Sequence, residues 1–309
     1  MGVDLQKLEY FLAVRDHGSI NAAATHLGVA QPTISQALRS LEREFGVELF
    51  HRIGRGMALT SAGYALVGPA RRLLRDTATA ASSVRDHAGN LRGALDVAVA
   101  PSLTSGLVVK LVAEVHRRWP LTRINLIELP DDISGIDQIR EGHHELLITH
   151  LPQPTLARAR PGDPLLATLE LGTQEYWIAL PPGEDLGLPP GDGPVPMEAL
   201  SGVPLVSVPP GSSVHSGEIQ AELERTGKST PPAAVLQHRE ARLAFAAAGV
   251  GATFLERSMA ENARVRGVVM RPTEPLLTRD YGIVYDPAGP SPVARAFLSV
   301  AADLVDGSR

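Results

Sequence analysis

Residues 18–60, GSINAAATHLGVAQPTISQALRSLEREFGVELFHRIGRGMALT, constrain the chain most. Asn21 to Leu27 reads as a short alanine-rich helix, and Gly28, Val29 and Ala30 make a turn. Gln31 and Pro32 open a second helix running to Phe45. Pro is tolerated there because first-turn N–H groups have no intrahelical partner. Ile34, Leu38, Leu41 and Phe45 recur at helical spacing, so one stripe faces a core. Gln31, Pro32, Thr33, Ser35, Gln36 and Arg39 fall on the polar side, with Arg43 beyond them. Gln addresses adenine with two hydrogen bonds, Ser serves a base or a phosphate, and Arg suits guanine or phosphate. The same stripe would also serve as an ordinary solvated helix face. Gly46 sits where a left-handed C-cap is expected. VELFHRIGRGMALT then reads as a hairpin with Arg52 and Arg55 at its tip. Two helices at a tight turn followed by a basic hairpin form the layout of a winged helix-turn-helix, with the arginines placed for phosphates or a narrow minor groove.

Residues 5–63 resemble the DNA-binding domain of LysR-type transcriptional regulators. The pattern is carried by Leu8, Phe11, Val14, Gly18, Ser19, Ala23, Ala24, Leu27, Gln31, Pro32, Ser35, Leu38, Leu41 and Glu42. It continues through Gly46, Leu49, Phe50, Arg52, Arg55, Leu59, Thr60, Ala62 and Gly63. Ala30 departs from it, since the family usually has Ser there. The missing N-cap hydroxyl costs about 1 kcal/mol. Gln36 also departs, at a position where Arg is common, which bears on the base being read.

The net charge of −5 looks wrong for a DNA binder until it is divided. Residues 1–90 carry 10 Lys+Arg against 8 Asp+Glu, and the rest of the chain carries 19 against 26. The positive charge is thus confined to the N-terminal part, and an acidic remainder limits non-specific attraction to nucleic acid. There are no cysteines, which excludes a disulfide framework, a Cys–zinc site and a thiol nucleophile. The N-terminus reads as an amphipathic helix rather than a leader, and no apolar run approaches the ~20 residues that span a bilayer. A cytoplasmic protein with no membrane contact is expected.

The spacing predicts a first helix over 4–17 and a winged helix-turn-helix domain over 1–60. A linker helix over 61–90 follows. In it Leu66, Leu73 and Ala80 alternate with Ala70, Thr77 and Val84 at heptad spacing, a narrow seam suited to one partner helix. Pro69 is expected to bend that helix or lie near its first turns. From residue 91 to 309, strands alternate with helices, which predicts parallel, doubly wound sheets. The resemblance implies an effector domain of two lobes like a periplasmic solute-binding protein. Lobe I is expected over 91–161 and 272–309 and lobe II over 162–271, with crossovers near 161–170 and 266–273.

In open α/β sheets, ligands lie beyond the carboxyl ends of strands. LDVAVA runs into Ser102, Leu103 and Thr104, read as a helix start where free N–H groups favour an anion. ELLIT ends at Thr149 and His150, PLVSV runs into Ser207, Ser212 and Ser213, and AAVLQ ends near His238. Each single Ser fits a helix cap as well as a ligand contact; a site rests on their convergence. A small anionic effector is expected between the lobes, with His150 or His238 as cationic help. His143 and His144 are expected in an exposed loop.

No G-x-S-x-G elbow, HExxH or P-loop is present, and Gly249 and Gly251 follow a helix rather than a strand, so no catalytic residue, metal or cofactor is expected. The resemblance implies a regulator that binds an inverted-repeat operator in double-stranded DNA as a homodimer or homotetramer. It also implies a response to a small effector, with RNA polymerase as a further partner. The rival reading is a ligand-independent repressor whose C-terminal domain only oligomerises. A weaker one is an enzyme fused to a DNA-binding domain.

Overall fold

The computed structural model describes residues 4–54, 56–85, 91–129, 134–157, 164–183, 186–209, 214–225, 232–238 and 240–307. The head is built from α1 (Leu5–His17), α2 (Ile20–Leu27) and α3 (Gln31–Phe45), followed by a hairpin of β1 (Phe50–Ile53) and β2 (Gly56–Leu59). Leu8, Phe11 and Val14 of α1 meet Ile34, Leu38 and Leu41 of α3 in one apolar cluster. Phe50 closes that cluster from the hairpin, its ring centre 5.3 Å from that of Phe11. Ser19 caps α2, its hydroxyl accepting from the Ala22 N–H at 3.1 Å. Ala30 offers α3 no such bond, as its lack of a hydroxyl requires. Gly46 ends α3 with φ 70°, the left-handed cap expected from the sequence.

The helix α4 (Ser61–Arg85) leaves the head and contains Pro69 in its interior. Beyond it lie β3 (Gly93–Val99), α5 (Leu107–Arg118), β4 (Thr122–Glu128), α6 (Gly135–Arg140) and β5 (Leu146–Leu151). β3 pairs in parallel with both β4 and β5. The long β6 (Ala167–Leu180) follows, then β7 (Val195–Pro196), β8 (Val206–Ser207), α7 (Val214–Arg225), β9 (Ala234–Val235) and α8 (Ala241–Ala247). The chain continues with β10 (Thr253–Glu256), α9 (Ala260–Val265), β11 (Val269–Arg271), β12 (Thr273–Glu274), β13 (Leu277–Tyr285) and α10 (Pro292–Asp306).

One sheet runs in the order β10-β6-β13-β5-β3-β4, with β11 also paired to β6. Lobe I surrounds β3, β4 and β5. Val108, Leu111 and Val115 of α5 and Val293, Phe297 and Val300 of α10 cover one face. Ile136 and Ile139 of α6 cover the other. A sheet covered on both faces by helices is what continuous apolar strands such as VAVA dictate. Lobe II gathers around the far half of β6 with β8, β10, α7 and α8.

The lobes are joined differently from the sequence expectation. β6 and β13 lie antiparallel over their whole shared length and serve both lobes, so the passages fall inside these strands. The second passage is at β13, and 266–273 instead holds β11 and β12 of lobe II. The sequence reading placed the crossovers in connections between elements; a ladder that bulges at Tyr281/Gly282 bends between lobes without breaking. Among the described residues no helix is long and apolar enough to cross a membrane.

The linker helix is not free. Val67 and Ala70 are buried in the head core. On another face, Arg71 donates to the carbonyl of His143 at 2.8 Å, Arg72 to that of Arg140 at 3.2 Å and Arg75 to that of Gly142 at 3.3 Å. These carbonyls cluster at and just beyond the C-terminal end of α6, where helix oxygens lack backbone partners and cations are favoured. Arg75 also lies 3.9 Å from the buried Glu145 carboxylate, which accepts from the Ser291 N–H at 2.8 Å. A Cβ on Gly68 would fall 1.5 Å from the Glu141 carbonyl oxygen, so glycine permits this approach. The predicted seam is therefore divided: Ala70 packs within its own head, while Leu73 is 45% exposed and Thr77 is exposed. The side chain of Val84 lies outside the described residues.

His143 and His144 are not in an exposed loop. The contact between α4 and lobe I covers them, leaving His144 9% exposed. Burial, aided by Arg71, pushes the His144 imidazole down to about 4, and burial lowers His143 as well. Asp96 raises His144, and His143 and Arg15 lower it. With the folded pKa below the ordinary value near 6.5, the unfolded chain binds the extra proton between those limits. Stability should then be complete above about pH 6.5 and fall as pH drops toward 4, by at most about 3 kcal/mol for His144. Burial raises Glu145, which opposes part of this loss. Urea midpoints at pH 7.5 and 5 should differ less for His144→Gln than for the parent chain. Equal pH slopes for the two would remove His144 as the cause.

Candidate nucleic-acid interface and ligand cleft

α3 owes its exposed face to its anchored one. With Ile34, Leu38 and Leu41 buried, Gln31, Pro32, Thr33, Gln36 and Arg39 are fixed toward solvent and Ser35 is half-buried. Gln31, Pro32, Ser35, Gln36 and Arg39 line one concave surface together with Arg52 of the hairpin. Thr33 is exposed but does not line it, and Arg55 lies outside the described residues. Glu42, at the edge of the concavity, is held by structure: its carboxylate accepts from the Leu49 N–H at 2.9 Å. The concavity thus presents amide, hydroxyl and guanidinium groups on a rigid helix beside a hairpin. Such a helix fits a major groove, and such a hairpin reaches the flanking backbone.

The second site lies where the lobes meet. Ser102 is not at a helix start: α5 begins at Leu107, and Ser102 and Thr104 lie in the turn that precedes it. Ser102 has φ 76°, a left-handed conformation that strains a residue with a side chain. Leu103 is 2% exposed and packs in the lobe I core, which draws the turn inward and delays the helix. The Ser102 hydroxyl is 3.3 Å from the Tyr176 hydroxyl, and His150 Nε2 is 2.9 Å from the same oxygen. Gln174 donates to the Ser102 carbonyl at 3.1 Å and accepts from Tyr176 at 2.7 Å. Ser102 and His150 therefore share the Tyr176 and Gln174 side chains of β6, which sequence reasoning did not select.

The remaining predicted contacts disperse. Thr149 is buried, and its hydroxyl accepts from Gln153 at 2.8 Å. Ser207 borders a separate cavity within lobe II. His238 is exposed and lines neither this cavity nor the cleft. Ser212 and Ser213 lie outside the described residues.

A cleft of about 350 Å³ opens between Ser105, Gly106 and Leu107 of lobe I and Glu175, Arg257 and Ser258 of lobe II. Gly106 precedes α5 and supplies no side-chain cap, so first-turn N–H groups there lack that partner. Arg257 binds Glu175 at 3.0 Å, and its guanidinium lies 5.3 Å from the Trp177 ring centre. Trp177 in turn donates to Glu175 at 3.0 Å. The Ser105 and Ser258 hydroxyls stand 3.4 Å apart across the lobes. Burial raises Tyr281 at the cleft wall, which keeps its hydroxyl protonated as a donor. Arg257 was legible in principle: it follows β10 directly, at the carboxyl end of a strand.

Two family models match the chain. Residues 5–64 match "Bacterial regulatory helix-turn-helix protein, lysR family", and residues 88–306 match "LysR substrate binding domain". A similar curated protein is the HTH-type transcriptional regulator TfdS of Cupriavidus pinatubonensis, 26% identical over 97% of this chain and 98% of its own length. Among solved structures, full-length OxyR from Pseudomonas aeruginosa aligns with a TM-score of 0.73 at 21% identity, covering 99% of this chain and 95% of its own. Full-length CbnR in complex with its target DNA aligns with a TM-score of 0.65 at 20% identity, covering 97% of this chain and 99% of its own.

Proposed function

This chain belongs to the LysR family of transcriptional regulators, and from that premise we propose that a small carboxylate binds between its two lobes and alters the placement of its DNA-binding heads. The observation that carries this reading is the meeting of an uncapped α5 N-terminus with Arg257 across the cleft. Main-chain N–H groups and a guanidinium on opposite walls favour an anion that bridges them. Glu175 already holds Arg257, so an incoming carboxylate competes with an internal one, which keeps affinity modest. Tyr281 and the two serines supply neutral donors to the remaining oxygens. A cleft so furnished speaks against a C-terminal domain that only oligomerises.

The path to DNA runs through lobe I and the three arginine contacts of α4. The protein acts in the cytoplasm as a dimer or tetramer on an inverted-repeat operator, with RNA polymerase a further partner. The exposed Leu73 and Thr77 of α4 provide the seam for a second copy.

A panel of aliphatic and aromatic mono- and dicarboxylates, followed by melting temperature, tests the cleft. At least one member should stabilise the parent chain, and Arg257→Ala should weaken its binding about tenfold, equivalent to about 1.4 kcal/mol. Ser102→Ala should have a smaller effect. A ligand bound equally by Arg257→Ala would place the site elsewhere, and a panel without any stabilising carboxylate would count against an anionic effector.

A further inference from the structure

We propose that lobe II carries a second binding site, for an uncharged and mainly apolar small molecule. A cavity of about 480 Å³ lies between α7, β8, β9 and the start of β10. Protein interiors leave few voids larger than a water molecule, whereas small-molecule sites span roughly 300–1,000 Å³. This cavity falls within that range. Its lining shares no residue with the interlobe cleft.

The walls decide the class of ligand. Leu205, Val208, Ile219, Leu223, Val235 and Phe254 make them largely apolar. Helix α7 brings Ile219 and Leu223 to the cavity from one side, and β8 and β9 pair in parallel on the other. Arg242 is the cation at the wall, and its charge is already met. It donates to the Phe254 carbonyl at 2.7 Å and lies 3.8 Å from Glu256, with both side chains buried. An anionic ligand would lose its hydration and find no uncompensated cation among the described lining residues, which is costly in an apolar site; the lining carboxylate, Glu224, is exposed and accepts from Gln220 at 3.0 Å. A single hydroxyl or amide is accommodated. Ser207 is half-buried at the wall and offers its hydroxyl. A compact ring system with one neutral polar group fits both requirements.

The probe is 2-naphthol, titrated calorimetrically into the full chain, with 2-naphthoate as its charged counterpart. Saturable binding of 2-naphthol is expected, with 2-naphthoate about tenfold weaker at the same site. Ile219→Trp should fill the cavity and reduce 2-naphthol affinity about tenfold while leaving DNA binding by the free protein unchanged. Val235→Trp repeats the test from the exposed rim, in case the first variant folds poorly. Arg257→Ala should leave 2-naphthol binding intact, which separates this site from the interlobe cleft. Absence of saturable binding, full affinity in both tryptophan variants, or loss of 2-naphthol binding in Arg257→Ala would each overturn the site. Equal affinity for 2-naphthoate would overturn its class.

Discussion

Gly68→Ala is expected to part the linker helix from lobe I and to uncouple ligand binding from DNA binding. In an isolated helix the same change would be favourable by about 1 kcal/mol, because Ala is the better helix former. Here the added Cβ would sit 1.5 Å from the Glu141 carbonyl oxygen, a backbone atom that cannot swing aside. Ordinary overpacking costs about 1–3 kcal/mol. A contact this short exceeds what local adjustment absorbs, so the surfaces separate. The arginine bonds to the carbonyls of Arg140, Gly142 and His143 are then lost together. Thermal unfolding should split into two transitions, one for the head with its helix and one for the lobes. Operator affinity without ligand should persist, while the ligand-induced change in that affinity should vanish. A single unfolding transition at or above the parent temperature would show that the seam tolerates the methyl group and that the close approach is unimportant.

The second large effect is expected at the recognition face. Gln36, exposed on the concavity of α3, is expected to meet a base edge, and Arg52, on the hairpin, is expected to meet the backbone. A base-edge pair is worth about 1–3 kcal/mol of discrimination, and a phosphate contact carries no sequence information. Gln36→Ala should therefore lose most of that discrimination between operator and scrambled duplex. Arg52→Ala should weaken both duplexes alike and lower the salt dependence by about one phosphate contact. Titrations at several salt concentrations separate the two. Equal losses on both duplexes for Gln36→Ala would exclude Gln36 from base reading.

The head was legible because its signals are local. Helical spacing set the buried stripe of Ile34, Leu38 and Leu41, and Gly46 marked the end of α3. The ligand cleft was less legible because it depends on pairing between distant segments. Glu175 meets Arg257 only after β10 lies antiparallel on β6, and neither neighbourhood carries a motif. Ser102 was found by the strand-end rule, but its role as a helix start was not upheld. The buried Leu103 and the positive φ of Gly106 move the start of α5 to Leu107. The arginine contacts of α4 escaped sequence reasoning for a related cause. Arg71, Arg72 and Arg75 belong to no motif, and their acceptors are main-chain carbonyls, which have no sequence signature. Heptad spacing could not reveal that Ala70 is enclosed by its own head.

Selection from random duplex DNA tests the central claim most directly, that this chain reads sequence with α3 as a symmetric assembly. The parent protein should enrich two inverted half-sites, and Gln36→Ala should enrich them with one position relaxed in each half. Enrichment of no sequence, or an identical motif for the parent and for variants at Gln36 and Arg39, would contradict it.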